Sequence, residues 1–177
     1  MRVLLIDDDP DLLQQGKIFL ERKRDCLEIE TANSGKDGLE KIEEETYDAV
    51  VSDHQMPDMT GVELLKKTRN RGYDIPIILF TGRGREEVAM EALNNGANRY
   101  LRKGGDPKSQ YGVLAQAIIQ EVKYHRLENM VKTGVGITTP KDYTDAFDNP
   151  GYGRPDNSPT QRRLSHGNTA RIGKNVN

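Results

Sequence analysis

The sequence predicts an α/β fold, a five-stranded parallel sheet with helices on both faces. Two observations carry that reading. Five short runs rich in branched or aromatic residues, "RVLLI", "LEIETA", "DAVVSD", "PIILFT" and "NRYLR", alternate with stretches of helical character. The first, third and fourth of these runs are nearly continuous in apolar residues, as strands covered on both faces are.

The elements follow in order. "RVLLI" is the first strand, and three carboxylates, Asp7, Asp8 and Asp9, stand directly behind it. Asp9 is the expected N-cap of the next helix, with Pro10 at its first position and Leu12, Leu13, Ile18 and Phe19 as its buried stripe. After "LEIETA" comes "SGKDGLEKIEEE", capped by Asn33 or Ser34. "DAVVSD" leads to the loop "DHQMPDMTG" and the helix "GVELLKKTRNRG". That helix and "REEVAMEALNNG", which follows "PIILFT", both close on Gly, a usual helix terminator. The last and longest helix, "SQYGVLAQAIIQEVKYHRLENMV", follows "NRYLR" and is expected to fray before Thr133.

Composition sets the bounds. A chain of 177 residues accommodates one domain and a small appendage. With 31% charged residues and a formal net charge of -2 there is no bulk electrostatic case for nucleic acid. One cysteine, Cys26, precludes an internal disulfide framework, fits a reducing cytoplasm and reads as a small core residue. No signal segment opens the sequence and no apolar run approaches membrane-spanning length, so a cytoplasmic protein without a membrane partner is expected. A composition break falls near Lys132. Residues 133–177 hold six Gly, four Pro and five Asn, and read as a polar, disordered tail behind a domain of residues 1–132. The tail is too short and polar for a winged-helix domain or a kinase core, so no nucleic-acid-binding output domain is visible in it.

In a parallel α/β sheet, ligands sit outside the carboxyl ends of the strands. That rule gives "DDDP", "DHQMPDMTG", "TGRG" and "KGGDP" one address. Acids, a hydroxyl and an amine converge there.

These segments resemble the receiver domain of two-component response regulators over about residues 1–130. Asp53 closes the third strand in "DHQMPDMTG", which matches the family's D-x-x-M-P-x-M-x-G at every fixed position; Thr81 ends the fourth strand, and Tyr100 and Lys103 stand in and after the fifth. The resemblance implies a (βα)5, flavodoxin-like, doubly wound fold and a phosphoacceptor rather than an enzyme acting on a separate substrate. It implies Asp53 as acceptor of a phosphoryl group from a sensor histidine kinase or a histidine phosphotransfer protein. Mg2+ would be held by Asp8 and Asp53 directly, by Asp7 mainly through a water, and by the backbone carbonyl of Gln55. Lys103 would bind a phosphoryl oxygen as a point charge. Thr81 would bond another and move toward the acceptor, with Tyr100 swinging inward behind it to signal to a downstream protein. A dimer of the phosphorylated form is compatible with this scheme. Without a cation Asp7, Asp8 and Asp53 repel, which should raise at least one of their pKa values.

Some residues take plainer roles. Met56 and Pro57 shape the loop, Gly61 serves the turn into the next helix, and His54 and His125 read as partly exposed side chains. Gln55 and Arg83 are expected to border the site. The chain departs from the family in "KGGDP": most receivers follow the lysine with Pro, commonly cis, whereas Gly104 implies a trans bond and a freer turn. Two other readings fit less well. In a phosphatase of the haloacid dehalogenase type, Asp7 and Asp9 would be nucleophile and general acid, but a late acidic pair is missing. A receiver-like module that is never phosphorylated leaves the full set of reactive groups unexplained.

Overall fold

A computed structural model of the chain describes residues 1–82 and 86–134. The expectation for Arg83 and that for the tail beyond Gly134 fall outside the described residues.

Five strands, β1 (Arg2–Ile6), β2 (Glu28–Ala32), β3 (Ala49–Ser52), β4 (Ile77–Thr81) and β5 (Arg99–Arg102), alternate with five helices. These are α1 (Pro10–Lys23), α2 (Gly35–Glu44), α3 (Gly61–Asn70), α4 (Glu86–Asn94) and α5 (Pro107–Lys132). All strand pairs are parallel, in the order β2-β1-β3-β4-β5. This is the doubly wound arrangement expected, and its strand order reverses at β1 and β3.

Side-chain alternation along each strand divides the core in two. Val3, Leu5, Val51, Ile78 and Phe80 point to the face covered by Leu13 and Leu20 of α1 and Tyr111, Leu114 and Ile118 of α5. Leu4, Ile6, Val50, Ile77 and Leu79 point the other way, to Leu39 and Ile42 of α2, Leu64 and Leu65 of α3 and Ala92 of α4. A sheet buried on both faces needs uninterrupted apolar strands, and β1, β3 and β4 supply them.

Helix starts follow the capping chemistry. Asp9 accepts from the N–H of Asp11 and Leu12, with Pro10 behind it. Ser34 accepts from Asp37 N–H, which decides between the two α2 caps. Thr60 and Glu63 form a capping box on α3. α5 begins two residues earlier than the sequence suggests, because Asp106 caps it and Pro107 occupies its first turn; it runs to Lys132 and stops where Gly134 turns left-handed (φ +68).

Two expectations need correction. Ile18 is 45% exposed; α1 buries Leu13, Gly16 and Leu20, with Phe19 half-buried and stacked on the Tyr111 ring at 5.6 Å. Packing against α5, rather than the apolar count, sets that stripe. Cys26 is exposed, because it sits in the turn between α1 and β2 before the strand enters the core.

The loop after β3 is tied back to α2 by a contact that spacing does not announce. Asp58 accepts from the N–H of Gly35 at 3.2 Å and of Lys36 at 2.8 Å. Although its slight burial works the other way, these backbone donors hold the Asp58 carboxyl below the usual carboxylate range. A depressed pKa contributes stability that is present above the ordinary carboxylate value and is lost as pH falls. Asp58→Ala should therefore cost about 1 kcal/mol at pH 7, the scale of a lost helix cap, and the deficit should be smaller at pH 3, below the ordinary carboxylate value. Urea denaturation of both proteins at the two pH values checks this; a deficit unchanged by acid would contradict the assignment.

Candidate functional site

Three side chains meet at the carboxyl edge of the sheet, and the backbone ladder places all three. Asp7, Asp53 and Lys103 are each the first residue past a strand. Their N–H groups still reach the neighbouring strand's last carbonyl: Asp7 to Ala32 at 3.2 Å, Asp53 to Ile6 at 2.8 Å, Lys103 to Thr81 at 2.8 Å. Each side chain thus leaves from a position fixed by sheet pairing rather than from a free loop.

The Lys103 ammonium lies between the two acids, donating to Asp7 Oδ2 at 2.5 Å and Asp53 Oδ1 at 2.8 Å. It also stands 5.8 Å from the centre of the Phe80 ring. The second oxygen of each acid takes a backbone donor two residues on: Asp9 N–H to Asp7 Oδ1 at 3.0 Å, and Gln55 N–H to Asp53 Oδ2 at 2.6 Å. Both acids therefore form the same Asx turn, locking the carboxylate planes toward one lysine. Neither turn was foreseen from the sequence; an Asp two residues before an unremarkable N–H is too common a pattern to single out.

Electrostatics follow from burial. Asp7 and Asp53 are buried, at 6% and 7% exposure. Burial pushes the Asp7 carboxyl above its usual value; Lys103 and the Asp9 N–H oppose this, and the Asp53 charge adds a smaller push upward. The direction expected from clustered acids holds, but desolvation leads and repulsion follows. Burial alone would lower Lys103, yet the bonds to Asp53 and Asp7 outweigh it and hold the ammonium above the ordinary lysine range.

The other predicted residues are placed as follows. Asp8 is exposed and does not join the buried pair. Asp9 spends its side chain on α1, so Asp7 and Asp9 do not face a common point as a D-x-D phosphatase requires. Thr81 is buried at the end of β4, and Gln55 is exposed beside Asp53. The Tyr100 ring packs against the α2–α4 core, and its hydroxyl is buried without a hydrogen-bond partner among the described residues. His54 is half-buried. Gly61 is required by close approach: a Cβ there would overlap the Asp53 carbonyl oxygen.

The turn after Lys103 contains no cis peptide, as expected, but it is braced rather than free. Gly104 N–H donates to Gln110 Oε1 at 2.9 Å, and Gly105 takes a left-handed φ of +79 that favours glycine. Gln110 was missed; nothing in its position on α5 signals a contact six residues upstream.

Carboxylates and backbone carbonyls are the hard oxygen donors that Mg2+ takes, usually with only one or two carboxylates. Asp7 and Asp53 share one cationic neighbour, the Lys103 ammonium, so the pair already accommodates positive charge beside it. Among the described residues no three acid, imidazole or thiol groups close around a single point. The fit rests on two carboxylates, with Asp8 next to them at the surface.

The model of the response regulator receiver domain matches residues 3–112. The chain belongs to the response regulator receiver family. Phosphorylation and Mg2+ binding are features of that family, whose members are signalling domains. The receiver is 33% identical over 120 residues to the nitrate/nitrite response regulator protein NarL of Escherichia coli K12, covering 68% of this chain and 56% of NarL. It is 30% identical over 134 residues to the cell cycle response regulator CtrA of Brucella ovis, covering 76% and 56%. The chain thus spans about half the length of these curated relatives. Among solved structures, a CheY-like receiver domain protein from Methanospirillum hungatei JF-1 superposes with a TM-score of 0.64 at 32% identity, over 72% of this chain and 97% of that one. The receiver domain of the Francisella response regulator 1452 gives 0.62 at 28% identity, over 70% and 97%.

Two carboxylates against one ammonium leave a buried net charge, and two substitutions should move stability in opposite directions. Asp7→Asn leaves a neutral Lys103–Asp53 pair and should raise the urea midpoint at pH 7. A raised pKa means that Asp7 contributes its stability below the ordinary carboxylate value and loses it as pH rises through the folded value. The advantage of the variant should therefore vanish near pH 3. Lys103→Met leaves two unpaired acids and should cost about 3 kcal/mol at pH 7. Midpoints moving in the same direction at pH 7 would refute this charge balance.

Proposed function

We propose that this chain is the phosphoacceptor module of a two-component relay and that Asp53 carries the phosphoryl group. The observation that supports this most directly is the Lys103 ammonium bonded at once to Asp7 and Asp53 at the strand-order reversal. A carboxylate approaching a phosphoryl centre brings anion to anion, and the site answers that repulsion with preplaced positive charge.

In this reading an Asp53 oxygen attacks the phosphorus of a phosphohistidine. The new P–O bond forms as the P–N bond breaks, and the electron pair leaves with the imidazole. Asp53 becomes an acyl phosphate. Mg2+, held by Asp7, Asp8, Asp53 and the Gln55 carbonyl, supplies charge neutralisation when bound. Lys103 keeps its place at the acceptor and pairs with a phosphoryl oxygen. The Gln55 N–H holds the carboxylate plane. Thr81 hydrogen-bonds the phosphoryl group, and Tyr100 reports its arrival along β5 and α4. The module thereby catalyses its own phosphorylation and dephosphorylation.

The donor is a sensor histidine kinase or a histidine phosphotransfer protein, the site of action is the cytoplasm, and the output passes by contact to another protein. No helix of the described residues is long and apolar enough to cross a membrane. Residues 1–132 form the receiver and residues 133–177 a tail that the chemistry does not use.

Mass spectrometry after acetyl phosphate treatment, with borohydride trapping of the acyl phosphate, tests the reading. The wild type should gain one phosphoryl group in Mg2+ and none in EDTA, mapped to Asp53; a chain shortened after Gly134 should react at the same rate. Asp53→Asn should abolish labelling, Asp8→Asn should slow it at least about tenfold, and Mg2+ should raise the melting temperature of the wild type. A label on Asp7 or His54, or labelling without Mg2+, would sink the assignment.

A further inference from the structure

α5 continues to Lys132, well past residue 112 where the family match ends. Its first half is committed to the domain. Tyr111, Leu114, Ala115, Ile118 and Val122 are buried, and Glu121 is paired with Arg99 at 2.6 Å. The second half is strapped to the opposite edge of the sheet from Asp53, by Arg126 to Asp48 at 2.7 Å and Lys132 to Asp74 at 3.7 Å. These contacts tie the helix to the domain on one side and leave its outer side without a partner among the described residues.

That outer side is apolar where a solvated helix face would be polar. Tyr124 is 58% exposed, Val131 64% and Met130 41%, with Leu127 half-buried between them. Tyr124, Leu127 and Val131 follow a 3–4 spacing, with Gln120 preceding at the same interval, which is the a/d seam of a coiled coil. Ala115 and Val122, on the opposite side of the heptad, are buried in the domain core. The body lies behind the helix at Tyr124, Leu127 and Val131, and reaches the seam only in the preceding heptad, where Ala117 is buried.

We propose that this stripe pairs with the same stripe of a second copy of the chain, as a short parallel two-helix contact. Charge identifies the occupant and its direction. With Tyr124 and Val131 at a and Leu127 at d, Lys123 falls at g and Glu128 at e. A parallel pair sets each g against the partner helix's e five residues on, so Lys123 meets the second copy's Glu128 twice, by symmetry. Both Lys123 and Glu128 are exposed and have no ion-pair partner among the described residues. An antiparallel pair would match e with e and g with g, which brings Glu128 toward the second copy's Glu128 and leaves Lys123 without an acid. The pattern disfavours that arrangement.

The seam is two turns long, far below the roughly 1,200 Å² of a stable interface, so the dimer forms and dissociates with concentration. Because it sits at the far edge of the sheet from Asp53, it is independent of phosphorylation and of the phosphoacceptor reading.

Sedimentation equilibrium of the full chain across a wide concentration range, under reducing conditions because Cys26 is exposed, tests the proposal. The wild type should show a monomer–dimer equilibrium, and Tyr124→Glu should abolish it with circular dichroism unchanged. Lys123→Glu and Glu128→Lys should each weaken association about tenfold, and the double variant should restore it. Acetyl phosphate should leave the dissociation constant unchanged. A chain that stays monomeric throughout overturns the proposal, as does a dimer that ignores the single reversals or is not rescued by the double one.

Discussion

The bond pair from Lys103 to Asp7 and Asp53 is the interaction around which the site is organised. It joins the ends of β1, β3 and β5 with one ammonium, and its bond to Asp7 opposes the burial that pushes that carboxyl upward. Without it the edge of the sheet would carry unbalanced like charges at the place where the strand order reverses. The ladder bonds to the carbonyls of Ala32, Ile6 and Thr81 make this possible by fixing three starting points, so that two short acids and one long amine converge.

The same arrangement sets the charge of the resting site. One ammonium offsets only part of the charge of two acids, so its bonds organise the site while a buried negative balance remains around it. The buried, unpartnered hydroxyl of Tyr100 stands in contrast. Like His54 Nδ1 beside Asp53, it is buried without a hydrogen-bond partner among the described residues, and it lies on the α4 side, away from the lysine.

Much of the architecture was legible because it rests on repetition. β1, β3 and β4 are apolar throughout since both of their faces are covered, and Asp9 and Ser34 cap helices by local chemistry. Asp53, Lys103 and Thr81 were legible as ends of strands. What escaped depends on tertiary approach. Ile18 is as apolar as Leu20, yet only the position of α5 decides which is buried. Cys26 was misread because burial belongs to the strand that follows it and not to the turn. Asp58 reaches back 23 residues to α2, and Gln110 braces a glycine turn from inside a helix; no spacing rule announces either. Asp8 was grouped with Asp7 and Asp53 through the family resemblance; it stands at the surface because successive residues at a strand end point in different directions.

Asp9 joins two systems through one residue. Its carboxylate starts α1 while its N–H fixes the carboxylate of Asp7. The interval from Asp7 to Pro10 is consequently a rigid unit, intolerant of insertion or deletion, since shifting either contact by one residue breaks the other. Substitutions in α1 and at the acidic site should therefore be epistatic through this segment. Sequence drift in the helix is constrained by chemistry it never touches.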